Sequence, residues 1–316
     1  MKKILWGLFI ISILHSPVRA ADRIRIGFGE LVASYISLPL GQKKGFFQEE
    51  GLQAEFIRIN STVGLATLIS GEIDYYAAIG PGVAAAIRGV PAKIVACYVP
   101  GPTAMLIARP EFKSVQELRG KTIGINIFGS NLEIIGRNIF KHFGLDPDKE
   151  IKFLAGGPLE ARFSAMKQGV IAATLGAPPT DFLGKKMGFV VLARAHELFS
   201  FPVTGILSSD KKIREKSDEI KRVIKAGIKA NRYIRQNRDG TIQTMMEWMK
   251  IDKEMATATY DSVGKAFNED GSLPEDGLRL LIEEAKKAAK ISRDIASSEV
   301  ADLSILREAQ KELGIR

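Results

Sequence analysis

The sequence predicts an α/β protein of two similar lobes, each a mixed, mostly parallel sheet with flanking helices. The first observation behind this is a strand, turn and helix unit that occurs twice. Residues 70–89 read S-G-E-I-D-Y-Y-A-A-I-G-P-G-V-A-A-A-I-R-G, and residues 168–188 read Q-G-V-I-A-A-T-L-G-A-P-P-T-D-F-L-G-K-K-M-G. In both, a helix closes on a glycine (Gly71, Gly169) and an isoleucine follows two residues later. A small apolar run then ends at a Gly/Pro turn that opens the next helix. The second observation is length: 316 residues exceed one ordinary domain and suit two.

The elements follow in order. Residues 23–28 alternate as a strand and run into Gly29-Glu30-Leu31-Val32-Ala33-Ser34-Tyr35. A helix over 38–50 closes on Gly51, residues 53–59 form a strand, and Asn60-Ser61-Thr62 caps a helix over 63–70. A strand over 75–79, a helix from Gly82 and a strand over 93–98 complete the first lobe's alternation. After Pro100-Gly101-Pro102 the chain changes lobe, with strands over 104–109 and 121–127. A helix over 132–143 then closes on Gly144-Leu145, as the earlier one closes on Gly51-Leu52. Strand 151–154, helix 159–167, strand 172–175, helix 179–185 and strand 189–194 repeat the first lobe's order.

Residues 196–202 carry the chain back to a strand over 204–208, and the remainder reads as helices over 218–237, 241–250, 253–267, 274–291 and 302–313. Ile220, Val223, Ile224, Ile228 and Ile234 keep helical spacing, so this tail packs on a lobe. The expected organisation is a leading segment over 1–20, a first lobe over 21–102 and 203–316, and a second over 103–202. Two passes between the lobes make a two-strand hinge.

The leading segment has the form of an export signal: Lys2 and Lys3, an apolar run over 4–14, then Val18-Arg19-Ala20, with cleavage expected near Ala20 and a periplasmic product. The formal net charge of +9 includes Lys2, Lys3 and Arg19 of that segment. Lys221, Arg222, Lys225, Lys229, Arg232, Arg235 and Arg238 alternate with the buried stripe of one helix, a pattern of a solvated face, so no nucleic-acid partner is expected. The single cysteine, Cys97, lies in an apolar strand, which suits a buried inert thiol and leaves no intrachain disulfide.

Catalytic patterns fail in detail. Gly27-Phe28-Gly29-Glu30-Leu31-Val32 begins like a dinucleotide fingerprint but ends in Val32. Gly120-Lys121-Thr122 matches only the end of a phosphate loop, and Ser208-Ser209-Asp210-Lys211 is better read as a helix cap. His142 and His196 stand far apart with no neighbouring cysteine or second histidine. Neither an enzyme, a cofactor nor a metal is expected.

What remains is a cleft walled by strand-to-helix junctions. Ser61 and Thr62, Gly80 and Gly82, Ser130 and Asn131, and Pro178 with the following Pro179-Thr180 stand at such junctions, where open α/β sheets place ligands and helix N-termini favour anions. Tyr35, Tyr98, Phe128 and Phe201 are candidates to sandwich an organic body, and Arg162 is a candidate counter-ion. Glu30 and Asp181 face similar junctions and would instead suit an amine.

A family resemblance rests on I-R-I-G-F at 24–28, G-x-F-x-x-E-G-L at 45–52, L-x-S-G-E-I-D at 68–74, E-L-R-G-K-T-I-G-I at 117–125 and E-D-G-L-R-L-L-I at 275–282. With the export signal, these runs resemble the solute-binding proteins of ABC importers, in the nitrate/sulfonate/taurine and thiamine-pyrimidine-precursor group. The resemblance implies the two-lobed periplasmic-binding-protein fold, type II-like. It further implies a monomer that captures a small solute by hinge closure and hands it to a membrane permease with its ATPase. A sulfonate, nitrate or carboxylate-like anion is the expected solute; a pyrimidine or thiamine precursor, an amine, or service as a periplasmic sensor are the alternatives. An enzyme branch of the same superfamily resembles these binders in fold but uses a cysteine-rich segment, which Cys97 alone does not supply.

Overall fold

The computed structural model describes residues 21–29, 31–59, 61–128 and 130–315, so the expected export segment lies outside them. The chain begins with β1 (Asp22–Phe28), a 3-10 turn (Ala33–Tyr35), α1 (Ser37–Lys43), α2 (Phe46–Glu49), β2 (Leu52–Arg58) and α3 (Ser61–Ser70). It continues through β3 (Tyr75–Ala78), α4 (Ile79–Ala86) and β4 (Ala92–Val99). The next stretch comprises β5 (Met105–Ala108), β6 (Thr122–Ile125), α5 (Asn131–His142), β7 (Lys152–Ala155), α6 (Leu159–Lys167), β8 (Ala173–Gly176), α7 (Thr180–Lys186) and β9 (Val190–Arg194). After β10 (Thr204–Ser209) come α8 (Asp210–Glu215), α9 (Ser217–Gln236), α10 (Arg238–Met249) and α11 (Lys253–Val263). α12 (Glu275–Ala289), α13 (Ser297–Val300) and α14 (Ser304–Glu312) complete it.

Two separate five-stranded sheets result, ordered β2-β1-β3-β10-β4 and β7-β6-β8-β5-β9. In the first, β1 is parallel to β2 and β3, and β10 lies antiparallel between β3 and β4. In the second, β6 is parallel to β7 and β8, and β5 lies antiparallel between β8 and β9. The antiparallel strand of each sheet is the one that has just crossed from the other, so the two orders match position by position. The repeated motif supplies the middle of each sheet, β3 and β8. Both are buried along their whole length, which is why they read as unbroken small-apolar runs.

The glycines that open the repeat are fixed by backbone geometry. Gly71 (φ 80°) and Gly169 (φ 75°) follow α3 and α6 in the left-handed conformation that ends a helix without a Cβ penalty. At Gly71 an added methyl meets nothing within 4 Å. Gly71→Ala is therefore expected to lower stability by roughly 1 kcal/mol through the backbone alone, read as a shift of the urea midpoint.

The two crossings lie side by side. Phe201 N–H donates to Pro100 O (3.1 Å), Val203 N–H to Val99 O (2.9 Å) and Ala195 N–H to Ala104 O (3.0 Å). Gly277 of α12 packs against Ser200 and Pro202 of the return crossing. Phe201 is fully buried, in a hydrophobic cluster that joins residues of both sheets with Leu278 and Leu281 of α12.

The first sheet's other face is covered by α1 and α9. Ile220, Val223, Ile224, Ile228 and Ile234 are all fully buried, as their spacing predicted. Each such side chain contributes about 1.5–3 kcal/mol relative to exposure. The opposite face of α9 is tied to the rest of the lobe: Arg222 pairs with Asp22 at 2.7 Å, Lys225 with Glu50 and Glu312, and Lys229 with Glu49 and Glu50. Among the described residues no helix is long and apolar enough to cross a membrane.

Some expected elements differ. The helix expected over 38–50 breaks at Gly45, whose φ of 79° ends α1 and opens α2. α4 begins at Ile79, three residues earlier than Gly82, because the backbone turns into helix directly after Ala78; Ile79 N–H donates to Val203 O (3.1 Å) of the return crossing. Gly80, Pro81 and Gly82 thus belong to the first turn of the helix.

Candidate functional site

A cavity of about 500 Å³ lies between the two sheets, where the carboxyl ends of β1, β3, β6 and β8 converge. This is where open α/β sheets bind ligands. Gly29, Val32, Ser34, Tyr35, Ala78 and Pro81 wall it from the first sheet's side, and Thr103, Ala104 and Val203 of the crossings form its base. Asn126, Ile127, Phe128, Ser130, Asn131, Leu132, Ile135 and Ala177 wall it from the second. Two other depressions, of about 460 and 390 Å³, lie at the opposite, amino ends of the first sheet's strands and touch one lobe only. The larger has Leu68, Ile73, Pro91 and Lys212 among its walls, and the smaller is lined by ion-paired residues such as Glu50, Arg222 and Lys225.

Each polar group in the interlobe cavity is placed by a local rule. Ser130 is the N-cap of α5, its Oγ accepting from Glu133 N–H at 3.3 Å while donating to Asn126 Oδ1 at 2.6 Å. Asn126 is the first residue after β6, and its carbonyl accepts from Gly157 N–H at 3.1 Å. Tyr35 is held by Phe28, with ring centroids 5.8 Å apart, and Phe28 in turn by Trp248 at 5.8 Å. A Cβ built on Gly29 would lie 3.6 Å from the Tyr35 hydroxyl. Ile127 and Phe128 are 63% and 55% exposed and form an apolar lip. Among the described residues that line the cavity, none carries a charged side chain.

The structure brings Tyr35, Phe128, Ser130 and Asn131 together, as well as Gly80 by contact: a Cβ on Gly80 would meet Asn131 Oδ1 at 2.9 Å. The first turns of α4 and α5 therefore touch across the cleft. Glu30 and the side chains of Ser61 and Thr62 lie outside what the structure describes.

Other expected site residues are placed elsewhere. Tyr98 is fully buried beneath α9, its hydroxyl donating to Val223 O (3.3 Å) and its ring filling the space left by Gly227, so it is a core residue. Gly82 faces away from the cleft, since a Cβ there would strike Leu207 of β10. Phe201 is hinge core, and Pro178 lies one residue behind Ala177, off the cavity wall. Asp181 is bonded to Arg194 and Ser262 and does not reach the cavity. The sequence reading missed Asn126, Ser34 and Thr103; the position of Asn126 directly after a strand was the available signal.

Arg162 is 5% exposed and off the cavity wall, yet it sits against the strand ends that form that wall. Its guanidinium donates to Thr174 Oγ1 (2.8 Å), to Leu175 O and to Gly157 O (3.1 Å). Among the described residues it has no carboxylate partner within ion-pair distance. Burial pushes its pKa below the ordinary arginine value, and nearby Glu160 partly opposes that. A buried cation satisfied only by neutral acceptors leaves a positive field at the carboxyl ends of β6 and β8. Cys97, by contrast, is fully buried with its thiol pKa pushed up, and takes no part.

Two matched α/β lobes with a cavity across their facing strand ends define a two-lobed binding-protein architecture. The family profile described as NMT1/THI5 like matches residues 33–240, and the chain belongs to that family. It is 22% identical over 324 aligned residues to YtlA of Bacillus subtilis (strain 168), with 97% of this chain and 96% of that protein covered. It is 25% identical over 244 residues to a protein of Brucella abortus (strain 2308), covering 75% of each; both relatives are named as binding proteins. Among solved structures, it resembles the periplasmic sulfonate-binding protein SsuA of Methylobacillus flagellatus KT at TM-score 0.76 and 15% identity, over 95% of this chain and 97% of that one. It also resembles the periplasmic nitrate-binding protein NrtA of Synechocystis PCC 6803 at TM-score 0.70 and 13% identity, over 93% and 89%. These likenesses establish the periplasmic-binding-protein fold.

Proposed function

We propose that this chain is the extracytoplasmic solute-binding component of an ABC importer, delivering its solute to a permease and ATPase at the membrane. In this reading it acts as a periplasmic monomer without catalysis, with lobes divided near residues 102 and 203. The solute is a small organic anion, sulfonate- or carboxylate-like, held between the lobes as the paired crossings bend. The observation that carries the reading is buried Arg162, unpaired with any carboxylate among the described residues, behind Asn126 and Ala177; it gives a cavity whose described walls are neutral a preference for negative charge.

Size and lining argue for a carbon body. A nitrate ion occupies a small part of about 500 Å³, whereas Val32, Leu132, Ile135 and the rings of Tyr35 and Phe128 offer apolar contact to something larger. The neutral side chains of the described cavity wall favour a second reading, a flat neutral pyrimidine-like solute.

The test is a thermal-shift panel of alkyl and aryl sulfonates, carboxylates, nitrate and pyrimidines against the purified chain from residue 21. Binding at one hundred times Kd stabilises by about 2.7 kcal/mol, or roughly 4 °C for a chain of this size. Organic anions are expected to shift the melting temperature more than nitrate does. Shifts confined to pyrimidines transfer the assignment to the second reading, and no shift with any compound removes both.

A further inference from the structure

We propose that Asp181, Arg194 and Ser262 form a clasp between the lobes, outside the cavity, that stabilises the closed conformer and so sets how long a solute is retained. The consequence for retention rests on the solute-binding reading; the clasp itself does not.

The three residues come from elements on opposite sides of the cleft. Asp181 is on α7 and Arg194 ends β9, both attached to the second sheet, whereas Ser262 is on α11. α11 packs against α10 and against the turn Ala33–Tyr35 of the first lobe. Ser262 Oγ donates to Asp181 Oδ2 at 2.9 Å and accepts from Arg194 Nη1 at 3.0 Å; Arg194 Nη1 also donates to Asp181 Oδ2 at 3.1 Å. The three groups thus close a triangle. None of them lines the cavity.

The Asp181–Arg194 pair lies within one lobe and survives opening; Ser262 is the member that leaves. Hydrogen bonds to charged groups are stronger than neutral ones, so its departure has a definite cost. An opposing term is built in. Asp181 Oδ1 is buried with no hydrogen-bond partner among the described residues, and opening lets water reach it. The balance makes the clasp strong enough to bias closure and weak enough to release. Because α11 carries Ser262 and packs against the turn that carries Tyr35, seating the clasp also sets the position of the Tyr35 wall of the cavity. A second bridge between the same helices, Lys186 to Glu254 at 2.7 Å, has both side chains more than half exposed and contributes little.

Spin labels on Glu55→Cys and Lys152→Cys, exposed positions on edge strands of the two sheets, report the interlobe distance by pulsed electron resonance. Cys97 is buried and stays unlabelled. In solute-free protein, Ser262→Ala and Asp181→Asn are each expected to lower the ratio of closed to open distances roughly tenfold, the loss of one charge-assisted hydrogen bond. Lys186→Ala is expected to leave the ratio within about twofold. Identical distributions in parent and both clasp variants, or a parent with no population at the distance of this structure, overturn the proposal. Where a compound binds the parent, the same two variants should release it faster by a similar factor. Failure of every compound to bind would remove the solute reading while the distances still decide the clasp.

Discussion

Ser130→Phe is expected to abolish solute capture, weakening affinity by more than about a hundredfold, while leaving the fold intact. The serine supplies two things at once. Its hydroxyl orients Asn126 through a 2.6 Å hydrogen bond and caps α5 by accepting from Glu133 N–H. A phenyl ring in its place projects into a cavity of about 500 Å³ between Asn126 and Asn131 and removes the oriented donor. The lost cap costs about 1 kcal/mol of stability, so the melting temperature falls by only a few degrees. Ser130→Ala separates the two effects: it keeps the space, loses the hydrogen bonds, and should weaken binding roughly tenfold. Calorimetric titration with the compound that gives the largest thermal shift reads both variants. Undiminished affinity in Ser130→Phe would place the solute elsewhere.

Asn231→Leu is expected to destabilise the first lobe by about 2–4 kcal/mol. Asn231 is fully buried on α9, where its Oδ1 accepts from Ser37 Oγ at 2.6 Å and its Nδ2 donates to Tyr98 O at 2.9 Å and Asn268 O at 2.8 Å. One amide therefore joins α1, β4, α9 and the segment after α11. Leucine keeps the branched shape and the number of heavy atoms but ends in bulkier methyl groups, so lost hydrogen bonds and some overpacking both contribute. Tyr98 O retains the Asn268 N–H at 3.1 Å, but the buried Ser37 hydroxyl and Asn268 O lose their bonds to the amide. Chemical unfolding measures the effect, and a loss below about 0.5 kcal/mol would show that the hub is dispensable. Solute affinity at low temperature should be unchanged, since none of these groups lines the cavity.

The alternation of strands and helices was legible because its signals are local: a period of two or 3.6, and glycines such as Gly71 and Gly169 that end helices in one backbone conformation. The insertion of β5 and β10 as antiparallel fourth strands was not legible, since it depends on which lobe the chain enters next. Gly45 broke an otherwise continuous helical pattern for the same kind of reason, a backbone turn imposed by packing of α2 on α9. In the cleft, Phe128, Ser130 and Asn131 were readable from their place after a strand and at a helix start. Tyr98 misled because β4 is buried on both faces, and a strand without alternation does not reveal which way its aromatics point. Arg162 was expected as a counter-ion on the site, but a short helix with mixed polarity gives no sign that its arginine folds inward over two strand ends and stands behind the cavity wall. Asn126, Ser34 and Thr103 acquire their common surface only when the lobes face each other.

The central claim is that the space between the lobes is where a small organic solute is held. A crystal structure of the chain grown with the compound that gives the largest thermal shift tests it most directly. The compound is expected between Tyr35 and Asn126, its acidic group on the Arg162 side and its carbon body toward Ile127 and Phe128. A compound seated instead in the groove of Leu68, Ile73, Pro91 and Lys212, with the interlobe cavity holding only water, would contradict it.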